Sequence, residues 1–93
     1  MRDTISFNLI WYLYVKLQSE VEVRDRLAAR VLAARKRKRW TQQVLAERCQ
    51  MPRSYVADIE GARRNPSLRT LLRVSNALGI ALCELFAEPA SEP

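Results

Sequence analysis

The chain has no histidine among its 93 residues, and it has only two glycines and two cysteines. Without histidine it lacks the commonest general base and the commonest metal ligand of proteins. Two glycines, both expected at helix ends, cannot form a glycine-rich phosphate-binding loop. Cys49 and Cys83 lie far apart on apolar faces of predicted helices, so we interpret both as reduced core residues. The composition therefore argues against an enzyme, and it predicts no cofactor and no metal site.

A long apolar run is missing as well. No stretch of about twenty apolar residues could span a membrane, and no cleavable signal begins the sequence. We therefore expect a cytoplasmic protein without a membrane partner. Apolar residues still make up 48% of the chain, which is enough for the core of one small domain with an appendage.

The basic charge is concentrated in the middle of the sequence. The net charge is +6, but residues 24–73 carry fourteen Lys or Arg and four Asp or Glu, whereas the remainder carries two and six. A basic middle in an otherwise acidic chain is the pattern expected of a surface that binds phosphates. Charge patterning alone leaves open a solvated basic face on an ordinary helical protein.

Residues 40–60 have the pattern of two short helices separated by a tight break, and they read WTQQVLAERCQMPRSYVADIE. Thr41 can cap the first helix, and Pro52 suits the first turn of the second. Gly61 is expected to end the second helix, because glycine adopts the left-handed conformation at low cost. The apolar positions at helical spacing are Val44, Leu45, Ala46 and Cys49, then Val56 and Ile59. This is the layout of a helix-turn-helix, whose second helix enters the major groove of DNA.

Caps and helix breakers predict the remaining elements. Ser19, followed by Glu22, can begin a first helix that fades near residues 37–39. Ser67 can cap a fourth helix that ends at Gly79, and a short fifth helix is expected after it. The apolar positions are Val23, Leu27, Val31 and Ala34 in the first helix, Leu68, Leu71, Leu72, Val74 and Leu78 in the fourth, and Ile80, Leu82, Leu85 and Phe86 in the fifth.

The predicted helical domain comprises residues 19–86. An N-terminal extension, residues 1–18, precedes it, and a polar tail, residues 87–93, follows it. We expect the tail to be disordered. Apart from Ile10, apolar residues of the extension alternate with more polar ones, and the alternating set consists of Ile5, Phe7, Leu9, Trp11, Leu13, Val15 and Leu17. Alternation favours a β-strand, although a short apolar run leaves a buried helix open. In either form we expect these side chains to contact a second copy of the chain or another protein.

Residues 24 to about 86 resemble the Cro/cI-type helix-turn-helix domain, the xenobiotic-response-element family of transcriptional regulators. The resemblance rests on two stretches in the family's order, WTQQVLAERCQMPRSYVADIEGARRNPSLRTLLRVSNALGI and ALCELF. It implies an all-α, five-helix domain with its recognition helix at residues 52–60. Family members, phage repressors among them, usually bind pseudo-palindromic DNA as homodimers and regulate transcription, so the same is expected of this chain.

The resemblance also assigns functional residues. The front of the recognition helix corresponds to Arg53, Ser54 and Tyr55, and the fork of Arg53 matches the acceptors of guanine. The expected phosphate contacts are Gln42, Gln43, Lys38, Arg63, Arg64 and Asn65, which give affinity without sequence information. Two alternatives stay open, a phosphate contact for Arg53 and a simple capping role for Gln42.

Two acids of the recognition helix have other expected roles. Arg35 matches a family arginine that pairs with the acid at Glu60, which implies a largely buried ion pair between the first helix and the recognition helix. Asp58 departs from the glutamine-like residues of some family members. An acid that faces DNA lowers affinity unless it meets a cytosine amino group or neutralises an arginine. Asp58 is therefore not expected to be a main contact.

The sequence as a whole predicts a dimeric regulator that binds double-stranded DNA. The family also includes antitoxins of toxin–antitoxin pairs, and in that alternative the N-terminal segment would bind the toxin. A further alternative is a protein-bridging adaptor that uses this fold without reading DNA. Binding to DNA separates a regulator from an adaptor, and co-purification of a toxin would identify an antitoxin.

Overall fold

The computed structural model describes residues 9–10 and 18–88, which form a series of short helices. The α-helices are α1 (Glu20–Arg37), α2 (Gln42–Cys49), α3 (Arg53–Glu60) and α4 (Leu68–Leu78), and a 3-10 helix, η1 (Leu82–Phe86), follows them. No strand occurs among the described residues. The all-α class is therefore as predicted, and α2 and α3 are the two helices of the motif.

Side-chain caps begin three of the four α-helices at the predicted residues. Ser19, Thr41 and Ser67 each accept a hydrogen bond at the side-chain oxygen from the backbone N–H three residues later, at 3.1–3.2 Å. Each such cap contributes about 1 kcal/mol to helix stability. Gly79 ends α4 in the left-handed conformation, with φ of 71°. These four predictions are confirmed.

One core joins the five helices α1–α4 and η1. Its buried members are Leu27, Val31 and Ala34 in α1, Leu45, Ala46 and Cys49 in α2, Val56 and Ile59 in α3, Val74 and Leu78 in α4, and Leu85 in η1. Truncating a large side chain in such a core costs about 2–5 kcal/mol. Because α2 and α3 share this core, the direction in which α3 presents its outer face is fixed by packing.

A tight turn separates α2 from α3. Gln50 ends α2 in the left-handed conformation, with φ of 58° and ψ of 50°. The N–H of Met51 donates to the carbonyl of Ala46 at 3.0 Å, and the Met51 side chain packs against the core. Pro52 has extended backbone and occupies the N-cap position of α3. α3, which the sequence predicts as the recognition helix, therefore begins at Arg53, one residue later than expected.

The C-terminal part of the domain differs from expectation in two ways. The fifth element is a five-residue 3-10 helix rather than an α-helix, and this tighter winding is used in short segments. Cys83, which was expected in the core, is exposed, whereas Cys49 is buried. Leu85 lies in the core and Leu82 and Phe86 pack against it, whereas Cys83 lies at the surface.

α3 ends before Gly61 as predicted, but Gly61 does not have the left-handed conformation that the sequence predicts. Gly61 has φ of −92°, and the residue in the left-handed conformation is Ala62, with φ of 57°. A Cβ atom at position 61 would come within 2.6 Å of Cζ of Arg63. Glycine at this position therefore provides space for the Arg63 guanidinium, which folds back over the end of α3.

Two arginines of α1 hold the chain that leaves η1. Arg26 Nη1 donates to the carbonyl of Phe86 at 3.3 Å. Arg30 donates to the carbonyls of Ala87 and Glu88 at 2.8 and 2.6 Å. The first two residues of the predicted tail are thus bound to α1, and residues 89–93 lie outside the described part of the chain.

Most of the N-terminal extension, including Phe7, Trp11, Leu13 and Val15, also lies outside the described residues. Leu9 and Ile10 are described, and both are helical and exposed, at 57% and 67%. The strand that the alternation favours is therefore not observed at these two positions, where the backbone is helical. Periodicity could not decide between the two, because Ile10 breaks the alternation and a short apolar run fits either structure.

Candidate nucleic-acid interface

The first turn of α3 presents polar side chains to solvent. Arg53 and Ser54 are exposed, whereas Val56 and Ile59 of the same helix are 1% and 2% exposed. A helix with one face in the core leaves its opposite face available to a ligand. Tyr55 is half-buried and packs against the core. Of the three side chains predicted to read bases, two therefore extend into solvent and the third is anchored.

Glu60, the last residue of α3, is held by both preceding helices. Arg35 of α1 donates from Nε to Oε2 at 2.7 Å and from Nη2 to Oε1 at 3.0 Å. Gln42 of α2 donates from Nε2 to Oε1 at 3.0 Å. The side chains of Arg35 and Glu60 are 11% and 5% exposed. The ion pair that the family resemblance implies is therefore present, bidentate and largely buried.

The same contacts keep Arg35 charged. Its hydrogen bonds to the Glu60 carboxylate raise the pKa of Arg35 above its ordinary value, against the opposing effect of burial. Arg35 Nη1 also donates to the carbonyl of Trp40 at 2.8 Å, so three of its nitrogen atoms are engaged. Removing one partner of such a pair leaves a charge that is largely excluded from water.

Asp58, on the outer side of α3, binds both arginines of the following loop. Its Oδ1 accepts from Arg63 Nε and its Oδ2 accepts from Arg64 Nη2, each at 3.3 Å. Arg63 Nη2 also donates to the carbonyl of Ala57 at 3.2 Å. The guanidinium of Arg64 lies over the ring of Tyr55, with Cζ 4.1 Å from the ring centroid. Two predicted phosphate contacts are thus packed against α3.

The other predicted phosphate contacts lie at the start of α2 and in the loops. Gln43 is exposed and donates to a glutamate one turn later in α2, at 3.1 Å. Lys38 is exposed beside the ring of Trp40. Asn65 donates from Nδ2 to Oε2 of Glu20, the first residue of α1, at 2.7 Å. All three side chains are therefore at the surface, with Gln43 and Asn65 already bonded to acids.

Trp40 was not predicted as a residue of this surface. Two cations lie against its ring, Lys38 at 5.2 Å and Arg48 at 4.6 Å from the centroid. Trp40 directly precedes the cap residue Thr41 and packs against the core. An apolar side chain before an N-cap commonly packs against the fourth residue of the helix, here Leu45, and this spacing was visible in the sequence. The ring thus contacts one basic side chain from before α2 and one from its last turn.

The described part of the chain offers neither a metal site nor a membrane span. Within residues 9–10 and 18–88, no three His, Cys, Asp or Glu side chains are grouped so that they could hold a metal ion. Over the same residues, no helix has the length and apolar character needed to cross a membrane. The chemistry of the surface around α3 is that of hydrogen-bond donors and cations, which suits an anionic, hydrogen-bonding ligand.

The sequence matches the helix-turn-helix family over residues 31–85, which is more than half of the chain. It is 49% identical over 59 residues to an immunity repressor protein of Bacillus phage phi105, a match covering 63% of this chain and 41% of the repressor. The chain thus spans about two fifths of the length of that relative. It is 34% identical over 77 residues to a hypothetical transcription factor of Neisseria meningitidis, covering 83% of this chain and 73% of that protein.

The fold is also similar to solved structures. The restriction-modification controller protein C.AhdI from Aeromonas hydrophila superposes with a TM-score of 0.66 at 35% identity, covering 68% of this chain and 96% of that one. The hypothetical transcription factor NHTF from Neisseria superposes with a TM-score of 0.72 at 34% identity, covering 78% and 84%. The protein belongs to the Cro/cI-type helix-turn-helix family.

Proposed function

We propose that this protein is a sequence-specific DNA-binding regulator of transcription that places α3 in the major groove. One observation carries the proposal: α3 is anchored on its inner side and at its end, while Arg53 and Ser54 at its start are exposed. A recognition helix needs both properties, because base contacts are specific only when the helix is held at a fixed angle and depth. The repressor, transcription-factor and controller relatives support the same function.

The proposed contacts divide into two classes. Arg53 reads guanine through paired bonds to O6 and N7, Ser54 meets a base or a phosphate, and Tyr55 packs against a thymine methyl or the sugar backbone. The phosphate contacts are Gln42, Gln43, Lys38, Arg63, Arg64 and Asn65. The amide of Gln42 has two N–H donors and gives one to Glu60, so the other is available to a phosphate while the brace on α3 is kept.

The proposed DNA-bound form is a homodimer on a pseudo-palindromic operator. One α3 covers one half-site, and a twofold partner covers the second, about 10–10.5 base pairs away. The proposed interface is the N-terminal segment that carries Phe7, Leu9, Trp11, Leu13 and Val15. The exposure of Leu9 and Ile10 supports this assignment, since covering an apolar segment with a partner removes it from water and lowers the free energy.

Fluorescence anisotropy with a labelled mixed-sequence duplex at several salt concentrations tests DNA binding directly. The logarithm of the binding constant should fall linearly with the logarithm of the salt concentration, with a slope of about −0.9 for each phosphate contacted. An adaptor that uses this fold only to bridge proteins would leave the duplex unbound even at about 50 mM salt, and that result would contradict the proposal.

A further inference from the structure

One carboxylate and two guanidinium groups form a cluster on the outer side of α3, which we call the Asp58 cluster: Asp58, Arg63 and Arg64. Both oxygens of Asp58 are used, each by a different arginine at 3.3 Å. The side chains remain accessible, at 32% for Asp58, 61% for Arg63 and 44% for Arg64. The cluster therefore lies at the surface, where the proposed phosphate contacts of the loop would form.

Each arginine has a second contact that keeps it against α3. Arg63 is bonded to the carbonyl of Ala57, and Arg64 covers the ring of Tyr55. Gly61 leaves room for the Arg63 guanidinium, which a Cβ atom would displace. The folded-back loop therefore engages two phosphate-binding cations, and it covers one of the side chains proposed to read bases.

We propose that Asp58 is a specificity-determining residue, an internal anion that holds Arg63 and Arg64 and lowers affinity for DNA of arbitrary sequence more than for the operator. This role rests on the proposed function of α3 as the recognition helix. A DNA phosphate and the Asp58 carboxylate use the same guanidinium donors, so they compete. While an arginine remains on Asp58, its charge is locally neutralised and it releases few counterions from DNA.

The competition differs between the two kinds of DNA. On DNA of arbitrary sequence, binding depends on phosphate contacts of variable geometry. Because these phosphates are not held at a fixed distance from the loop, they compete poorly with the Asp58 carboxylate for the two arginines. On the operator, base contacts from Arg53 and Ser54 fix the depth of α3 and keep the phosphates beside the loop. The arginines then leave Asp58 for the phosphates, and Tyr55 is uncovered.

The test compares Asp58→Asn with a matched change elsewhere, Asp25→Asn. Asp25 is an exposed residue of α1 outside the Asp58 cluster, and both variants raise the net charge by one unit. Binding is measured by anisotropy on a mixed-sequence duplex and on a duplex selected from a random pool by the wild-type protein. Melting curves establish that both variants fold, which is expected because both side chains are at the surface.

Asp58→Asn should raise affinity for the mixed-sequence duplex by about fivefold, the scale of an exposed ion pair. Its salt slope on that duplex should steepen by about 0.9–1.8, because one or two further phosphates are neutralised by the released arginines. Affinity for the selected duplex should rise less, so discrimination falls. Asp25→Asn should change both duplexes little and equally.

A second comparison establishes whether Asp58 acts through the two arginines. In an Arg63→Gln, Arg64→Gln background, Asp58→Asn should no longer change the salt slope. Three results would contradict the role of Asp58 and leave the proposed function standing: equal gains on both duplexes, a response that matches Asp25→Asn, or an effect that persists without the arginines. Weaker binding of Asp58→Asn would show instead that the carboxylate orders the arginines for DNA. Failure of the wild-type protein to bind either duplex would overturn the proposed function, and the role of Asp58 with it.

Discussion

Arg35 and Glu60 are 25 residues apart in the sequence, and two nitrogen–oxygen contacts of 2.7 and 3.0 Å join their side chains. One residue belongs to α1 and the other is the last of α3, so the pair connects α1 to the proposed recognition helix. Gln42 extends the connection to α2. The orientation of α3 therefore depends on a buried polar contact as well as on apolar packing.

The first prediction concerns this pair. Glu60→Gln should destabilise the fold by about 3–5 kcal/mol, because the Arg35 charge would remain largely buried without its counter-charge. Urea denaturation at neutral pH measures the loss. Glu47→Gln, the same change at an exposed position of α2, should stay within about 0.5 kcal/mol of the wild-type protein.

A double-mutant cycle separates coupling from independent effects. Arg35→Met, Glu60→Gln and the double variant should be strongly non-additive, with the double variant more stable than the two single losses predict. Additive losses would mean that the two side chains do not stabilise the fold through each other.

A second prediction distinguishes the two cysteines. Cys83 is exposed, whereas Cys49 is 2% exposed and burial raises the pKa of its thiol. Because the thiolate is the reactive form, iodoacetamide at about pH 8 should quickly label only Cys83 in the folded protein, and both thiols in urea. In Cys83→Ser the fast reaction should disappear. Fast labelling of both thiols without denaturant would contradict the buried placement of Cys49.

The raised pKa of Cys49 also predicts how the stability of the fold changes with pH. The folded state favours the neutral thiol, whereas the unfolded chain ionises it at lower pH. The contribution of Cys49 should therefore be complete at neutral pH and decline as the pH rises above the ordinary thiol range. The free energy of unfolding of Cys49→Ala, measured in parallel, should fall less over that alkaline range than that of the wild-type protein.

A third prediction concerns the N-terminal extension. Deleting residues 1–18 should leave a folded domain, because the cap Ser19 is kept and the core cluster extends from Leu27 to Leu85. The truncated protein should be more monomeric in sedimentation and bind operator DNA much more weakly, since one subunit covers only one half-site. Equally tight dimerisation after truncation would place the interface elsewhere, with η1 the next region to test.

A fourth prediction concerns Arg53. Arg53→Ala should lower discrimination between the selected and the mixed-sequence duplex by about 1–3 kcal/mol, because a bidentate base contact is lost. Lys38→Ala, at a predicted phosphate contact outside the Asp58 cluster, should instead weaken binding to both duplexes to a similar extent. If Arg53→Ala also affects both duplexes equally, Arg53 binds phosphate and does not read a base.

Sequence reasoning succeeded where one residue determines the local backbone. The serine and threonine caps and the left-handed Gly79 follow from the chemistry of single side chains. It was wrong at two positions whose conformation or exposure their own side chains do not determine. Gly61 was expected to take a left-handed conformation, but its φ is −92° and Ala62 takes positive φ, while the Arg63 guanidinium lies beside Gly61. Apolar spacing also misplaced Cys83, which is exposed although Leu82 and Phe86 of the same short helix pack against the core.

The candidate site was predictable where the spacing of buried residues or the family resemblance determines a position. The positions of Arg53 and Ser54 follow from the spacing of the buried residues in α3, and family resemblance implied the Arg35–Glu60 pair. That one carboxylate, Asp58, holds two loop arginines depends on the path of the loop after α3, which no local pattern specifies. Similarly, Leu68 and Leu72 belong to the apolar pattern of α4, yet they are 65% and 43% exposed.

Selection of bound DNA from a random pool by the full-length protein tests sequence-specific binding most directly. The recovered sequences should converge on one motif, an inverted repeat whose half-sites are about 10–10.5 base pairs apart from centre to centre. The same selection with Arg53→Ala should return a motif with weaker preference at one position in each half-site. A pool that binds the protein but stays random after repeated rounds would contradict recognition of DNA sequence by α3.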